Sequence, residues 1–321
     1  MRLEATPRAP RPEICLASLA MALRLLSLCL VLLALLPAGC RRDERRLGTA
    51  EAPLVVVLSE SHGADAARVR ELEALLAKAS GLGVELRVAP SAEDAVRLAG
   101  SPNVDAALLS VFEYLLCRQL HGVSAGLRVV RVGGGRTHLG EIVSKRSGPV
   151  QSLSDLAGKK IAFVHRYSST GYLLPSKLIA DAKVSVTPVF TGSHEAALAA
   201  LKEGRVDAAA TYEDSVKEDS TLVVLGKTPA LPNEPLFFRA GLAPEKKQKL
   251  MEAFQSVAAS ADGKRVLAGI AHTEGFEPVT DADYAGAVAV IDGIGKSVKD
   301  VVPQGWIVSH EAESKPGDLA P

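Results

Sequence analysis

Cysteine is scarce in this chain and badly placed for cross-linking. Of four in 321 residues, Cys15, Cys29 and Cys40 fall in the first forty, and only Cys117 lies beyond them. One thiol past residue 40 excludes an internal disulfide framework for the body of the protein. Its setting, Tyr114-Leu115-Leu116-Cys117, is that of a core residue rather than a nucleophile. Metal-ligand spacings such as CxxC and HExxH are missing, so no metal site is expected. Net charge is missing too, with 37 basic residues against 37 acidic, which excludes the electrostatic footprint of a nucleic-acid binder. Setting aside residues 1–39, which hold Arg2, Arg8, Arg11, Arg24, Glu4 and Glu13, leaves 33 basic and 35 acidic residues. A body so balanced can hold an anion only by local dipoles and hydrogen bonds. No GxSxG elbow occurs, and Gly133-Gly134-Gly135 lacks the spacing and the acidic partner of a dinucleotide fingerprint. Nothing places a serine beside a base, so neither catalysis nor an organic cofactor is expected.

What is present begins at the N-terminus. Residues 21–40 read MALRLLSLCLVLLALLPAGC. Arg24 precedes an apolar run from Leu25 to Leu36, too short for a comfortable membrane span, and small residues follow. This is a secretory signal. Its ending, Pro37-Ala38-Gly39-Cys40, resembles a bacterial lipobox, which implies export, lipid on Cys40 and attachment to an envelope membrane. Residues 1–39 are therefore read as a lipoprotein-type signal, with Met21 as an alternative start. Residues 40–53, charged and rich in small side chains, read as a tether.

After the tether, short apolar runs alternate with amphipathic segments, the pattern of α/β architecture. Leu54–Leu58, Val84–Ala89, Val104–Leu109, Leu127–Val132 and Gly140–Ser144 are expected strands of a first group. The break at Lys145-Arg146-Ser147-Gly148-Pro149 opens a second group, with strands at Lys160–Val164, Val186–Phe190, Val206–Thr211, Leu222–Leu225 and Leu236–Arg239. Beyond Ala243 the pattern turns mostly helical and returns to the first group. The expected organisation is lobe I over residues 54–145 plus 242–303, lobe II over 146–241, and a polar, disordered tail over 304–321. Crossings near 145–149 and 236–242 would make a clamshell with a hinge between the lobes, its cleft at the strand C-termini.

Three strand–turn–helix units could carry chemistry at that cleft. In the first, Lys160–Val164 runs into Ser168-Ser169-Thr170-Gly171, where unpaired N–H groups and hydroxyls can face one anion. An ordinary N-cap explains one of those hydroxyls equally well. In the second, Ser193 is a capping residue and His194 opens the helix, either as a ring N–H donor or as a solvated first-turn residue. In the third, the strand ends in Tyr212-Glu213-Asp214. A carboxylate there can accept a hydrogen bond from a protonated oxyanion, which phosphate, phosphite and phosphonates are and sulfate is not. It can equally cap a helix.

From Leu153 to about Pro303 the chain resembles the phosphate/phosphite/phosphonate-binding proteins of ABC transporters. The stretches that carry the likeness are SLSDLAGKKIAFV, SSTGYLLP, FTGSHEAALAAL, GRVDAAATYEDS and PALPNEPLFFR. The resemblance implies an α/β, two-lobed periplasmic-binding-protein (type II) clamshell that acts as a monomer. It would bind a small phosphorus oxyanion and serve a permease, or present the ligand to a membrane sensor. By position it implies Ser168, Ser169, Thr170 and His194 as oxyanion contacts and Asp214, ahead of Glu213, as the acidic contact. Asn103-Val104-Asp105-Ala106-Ala107-Leu108-Leu109 followed by Tyr114 resembles the segment whose tyrosine reaches the ligand from the other lobe. Ser59-Glu60-Ser61-His62 stands where a further aromatic is usual.

Overall fold

The computed structural model of this chain describes residues 44–59, 65–164, 168–213, 215–293, 297 and 299. The expected signal, Cys40 and the tail from residue 304 lie outside the described residues. In chain order the strands are β1 (Leu54–Leu58), β2 (Val84–Val88), β3 (Ala106–Leu108), β4 (Ser124–Arg131), β5 (Thr137–His138), β6 (Gly140–Lys145) and β7 (Lys160–Phe163). They continue with β8 (Thr187–Phe190), β9 (Ala208–Tyr212), β10 (Leu222–Lys227), β11 (Leu231–Pro232), β12 (Pro235–Phe238) and β13 (Thr273–Pro278). The helices are α1 (Ala66–Ser80), α2 (Ala92–Ala99), α3 (Val111–His121), α4 (Leu174–Asp181), α5 (His194–Lys202), α6 (Pro244–Ala259), α7 (Ala261–Ala268) and α8 (Ala285–Gly293).

Two sheets make two lobes. Lobe I is six-stranded in the order β13-β4-β12-β3-β1-β2, and lobe II is five-stranded in the order β10-β6-β9-β7-β8. Each is built around three parallel strands, β2, β1 and β3 in one and β8, β7 and β9 in the other, with antiparallel strands added on one side. Parallel strands are covered on both faces, and β1 shows why its sequence suits that place. Leu54, Val56 and Leu58 pack on one face with Leu72, Leu76, Leu250 and Phe254. Val55 and Val57 pack on the other with Val96, Leu116 and Phe237. Full burial of each such side chain stabilises the fold by about 1.5–3 kcal/mol.

The expected lobe boundaries move. Gly140–Lys145, assigned to lobe I from the break that follows it, is a central strand of lobe II, paired with β9 and β10. The break at 145–149 is simply the turn that ends β6. Leu236–Arg239, expected in lobe II, is instead β12, paired between β3 and β4 of lobe I. The crossings therefore fall near residues 132–139 and 228–234. The returning segment is also less helical than expected. Its β13 is an edge strand, where Pro278 costs no ladder bond and Thr273 and Phe276 are buried.

The tether is shorter than expected, because its second half belongs to the fold. Leu47 is 2% exposed and joins the lobe I core. Glu44 is held by the Arg239 guanidinium, and its carbonyl oxygen accepts a hydrogen bond from Lys246 Nζ. Arg239 in turn donates Nε to Asp105 Oδ1 at 2.9 Å, and Asp105, 0% exposed, accepts the Val55 N–H at 2.9 Å. A buried carboxylate so placed is tolerable because both of its oxygens have donors.

The crossings are held by a two-stranded ribbon of β5 and β11 and by one side chain beside it. Asn233 is fully buried, and its Nδ2 donates to Val129 O at 3.1 Å and Gly135 O at 2.9 Å. With both amide hydrogens committed, Oδ1 is the acceptor facing His138 Nδ1 at 3.2 Å, so Nδ1 carries the ring proton. The Tyr284 hydroxyl donates to Asn233 O at 3.0 Å. Gly140 and Thr228 lock the lobe II end: Gly140 N donates to Thr228 Oγ1 at 2.8 Å, and Thr228 N to Gly140 O at 2.9 Å.

Burial is the largest influence on His138 and holds its imidazole below the ordinary histidine range. The folded ring stays neutral while the unfolded one takes up a proton below about pH 6.5. The stability it contributes is complete above that pH and is lost as pH falls. Urea unfolding of the wild type should therefore weaken more between pH 7.5 and 5.5 than that of a His138→Gln variant. Equal slopes would show that the hinge histidine is not the sensitive group.

Candidate functional site

The segment after β7 forms a helix start of unusual geometry. Ser168, with φ −68° and ψ 120°, caps it, and its Oγ accepts the Gly171 N–H at 2.9 Å. The Ser168 carbonyl then accepts two donors, Tyr172 N at 3.0 Å and Leu173 N at 2.9 Å. Residues Ser169–Leu173 are thus wound as a π turn before α4 begins. Such widened turns are uncommon and frequently lie at functional sites. The N–H groups of Ser169 and Thr170 stand ahead of the helical ladder, where the helix carries partial positive charge.

Glycine is required inside this turn. A methyl group on Gly171 would run into the Val164 side chain and lie 2.8 Å from Ser168 Oγ. Val164 N donates to Gly171 O at 3.1 Å, closing the strand end onto the turn. A second glycine lets the turn meet the hinge: a methyl on Gly140 would lie 2.7 Å from the Thr170 carbonyl oxygen. Thr170 is 8% exposed, and Leu173 and Leu174 bury into the lobe I cluster with Leu231 and Phe237. The turn therefore sits where the two lobes meet.

The other two units open on the same edge of the lobe II sheet, because β8 and β9 both run parallel to β7. The β8 loop is stitched to the β7 end by Thr191 N to Phe163 O at 2.9 Å and Gly192 N to Val164 O at 2.8 Å. Ser193 caps α5, accepting the Ala196 N–H at 3.1 Å. His194 follows it, half-buried, with its ring edge-on to Tyr212 at 5.0 Å. Glu195 beside it is held below the usual carboxylate range, first by its own backbone N–H and then by the Ser193 hydroxyl.

Ser168, Ser169, Thr170 and His194 are thus brought to one edge by adjacent strands. Glu213 reaches the same edge from β9 but is engaged, its carboxylate 3.4 Å from Lys227 Nζ. Asp214 lies outside the described residues. The sequence reading missed Glu141, which is 2% exposed on β6 opposite Thr211 and 2.9 Å from Lys227 Nζ. That contact is the main reason the Lys227 ammonium is held above the usual lysine range. The signal for Glu141 was available: an acid directly inside the apolar run of a buried strand.

Tyr114 is a correction. It lies in α3 at 0% exposure, its ring 5.3 Å from Phe237 and 5.1 Å from Tyr284. Its hydroxyl donates to Asp281 Oδ1 at 2.6 Å, and the same oxygen accepts Ala125 N–H at 2.8 Å. Burial first, and then Asp281, push the phenol far above its usual range. The tyrosine is core, with its donor already used. Among the described residues no cluster of three or more His, Cys, Asp or Glu is set to hold a metal, and no helix is long and apolar enough to cross a membrane.

Comparison with known proteins agrees with the fold. The family described as ABC transporter, phosphonate, periplasmic substrate-binding protein matches residues 54–284. A phosphate-import protein, PhnD of Mycolicibacterium smegmatis, is 25% identical over 313 residues, covering 82% of this chain and 93% of its own. XAC2383 from Xanthomonas citri, solved bound to ATP, superposes with a TM-score of 0.65 at 20% identity, covering 78% of this chain and 99% of its own. PhnD1 from Prochlorococcus marinus, solved with methylphosphonate, gives a TM-score of 0.59 at 16% identity, covering 76% and 98%. These structures share the two-lobed, type II periplasmic-binding-protein fold.

Replacing Gly171 by alanine should lower unfolding stability by about 1–3 kcal/mol through overpacking against Val164 and Ser168. Gly286→Ala in α8, where nothing lies within 4 Å of the added methyl, should be neutral or stabilising. Denaturant titration of both variants checks the contrast, and similar values would mean that the turn is not tightly packed.

Proposed function

We propose, from the premise that the chain belongs to the family of periplasmic substrate-binding proteins of phosphonate ABC transporters, that it captures a small phosphorus oxyanion and delivers it to a permease. Members of this family bind their ligands and do not transform them, so the chain is a binding protein and not an enzyme. The observation that carries the ligand reading is the π turn at Ser169–Leu173. It puts free N–H groups, two hydroxyls and the helix dipole at one cleft edge without a net positive field. The M. smegmatis relative imports phosphate, and the P. marinus structure holds methylphosphonate, which supports a phosphorus ligand here.

In this reading Ser168 shapes the cradle, because its Oγ already caps Gly171, while Ser169, Thr170 and their N–H groups hold the oxyanion. His194 approaches from α5 as a second donor. With Glu213 engaged by Lys227, the Asp214 carboxylate after β9 accepts the proton that hydrogen phosphate or a phosphonate carries and sulfate lacks, which turns sulfate away by uncompensated repulsion. Closure about the β5–β11 ribbon then presents both lobes to the permease. Cys40 carries lipid and fastens the protein to an envelope membrane.

Two measurements test this. Ligand-free protein from residue 40, carrying Cys40→Ser, should bind phosphate or a phosphonate with micromolar or tighter affinity by titration calorimetry and ignore sulfate. The Ser169→Ala, Thr170→Ala pair should weaken that affinity by about 100-fold, since each hydrogen bond to a charged group is worth about 1.5–3 kcal/mol; unchanged affinity would refute the site. In cells, labelled fatty acid should enter the wild-type protein and not Cys40→Ser, which should leave the membrane fraction. Label retained without Cys40 would disprove the anchor.

A further inference from the structure

The cradle edge is one end of the lobe II sheet, and the other end holds a cavity of about 180 Å³. Lys145, Val150, Leu201, Gly204, Val206 and Asp207 contribute to its walls. These positions belong to the far end of the strands. Lys145 closes β6, Val206 and Asp207 lead into β9, and Leu201 lies in the last turn of α5 with Gly204 just after it. From there β9 runs five residues to Tyr212, so roughly 13 Å of strand separates the cavity from the cradle edge.

The lining is held in place from outside. Gln151 Nε2 lies 3.2, 3.1 and 2.8 Å from the carbonyl oxygens of Lys145, Arg146 and Gly148, which fixes the turn after β6. The Ser144 hydroxyl, 1% exposed, donates to Val150 O at 2.7 Å. Asp207 is held through Oδ2, which accepts the Lys160 N–H at 2.9 Å. Its other carboxylate oxygen and the Lys145 ammonium have no hydrogen-bond or ion-pair partner among the described residues, although both residues line the same small space. The ammonium sits beside the turn after α5, since a methyl on Gly204 would lie 3.5 Å from Lys145 Nζ. The carbonyls of Ala199, Ala200 and Leu201 there already accept the N–H groups of Glu203, Arg205 and Gly204. Neighbouring charges are engaged as well: Lys202 pairs with Asp219 at 2.7 Å and Arg205 with Glu203 at 2.6 Å.

This lining selects a ligand by its charges. An anion alone would answer Lys145 and be repelled by Asp207, and a cation alone would meet the reverse. An ammonium and a carboxylate on one small molecule answer both, each through a charge-assisted hydrogen bond. Val150, Leu201 and Val206 supply an aliphatic wall for a short side chain. At about 30 Å³ per water, the cavity has the space of about six waters, which suits a molecule of roughly six to eight non-hydrogen atoms. We propose that it is a second ligand site, which takes a small aliphatic α-amino acid with its carboxylate on Lys145 and its ammonium on Asp207. The site stands apart from the oxyanion cradle and does not depend on it.

Calorimetric titration of the ligand-free wild-type protein with L-valine, isovalerate and isobutylamine tests the proposal, because each of the last two keeps one charge of the first. L-Valine should bind with millimolar or tighter Kd, and each singly charged analogue about tenfold more weakly or worse. Lys145→Met and Asp207→Asn should each weaken L-valine binding by about tenfold or more, as loss of a hydrogen bond between charged groups requires. Amide chemical-shift mapping on the wild type decides the matter if a variant fails to fold. L-Valine should move the signals of Lys145–Val150 and Leu201–Asp207 and leave those of Ser169–Leu173 and His194 in place. No binding of L-valine, equal binding of an analogue, undiminished binding in the variants, or shifts centred on the cradle edge would each overturn the proposal.

Discussion

The amide of Asn233 is the interaction on which the two-lobed arrangement depends. The crossing ribbon has only two residue pairs, Leu231 with His138 and Pro232 with Thr137. So short a ribbon is not stable by itself. Asn233 fixes it by spending every polar group it owns: the two amide hydrogens on carbonyls of β4 and the first crossing, Oδ1 on His138, the backbone N–H on Arg136 O, and the backbone carbonyl on Tyr284. Tyr284 then meets Tyr114 edge-on, and Tyr114 is tied through Asp281 to the start of β4. A buried network of this type is worth having only when every member is satisfied, and the Asn233 groups are. Its geometry sets where Gly140 enters lobe II, and so where Thr170 can sit.

The proposed binding edge follows from that placement and from strand direction. Three parallel strands deliver two helix starts and one turn to one side of the sheet, and no net positive charge is needed to make that side attractive to an anion. The π turn sharpens the effect. By moving the Tyr172 and Leu173 donors onto one carbonyl, it leaves the Ser169 and Thr170 N–H groups ahead of the helical ladder. Glu141 and Glu213 flank Lys227, so the ammonium is compensated within its own cluster. On the proposed reading, anion recognition is the work of dipoles and hydroxyls, in keeping with the even balance of charged residues.

Much of this was legible in the sequence. The run of β-branched residues in β1, the hydroxyl-glycine step after β7 and the capping serine before His194 are local signals, and each marks a local structure. The hinge was not legible, because strand assignment between lobes is a matter of long-range pairing. Gly140–Lys145 reads as a strand in either lobe, and only its pairing with β9 decides. Tyr114 failed for a similar reason. Position in a motif gives a tyrosine's place on a helix, but Asp281, 167 residues away, determines whether its hydroxyl is free. Glu141 was passed over because an acid within an apolar run has no local partner; Lys227 comes from another strand.

The docked stretch at Glu44–Leu47 has a mechanical meaning. Any pull on the chain from upstream enters lobe I first, through Arg239, Lys246 and the buried Leu47. Lobe I is then the stator and lobe II the rotor. A molecule fastened at its N-terminus would keep one face in constant register with the surface that holds it, and opening and closing would be seen from that surface as the swing of lobe II alone.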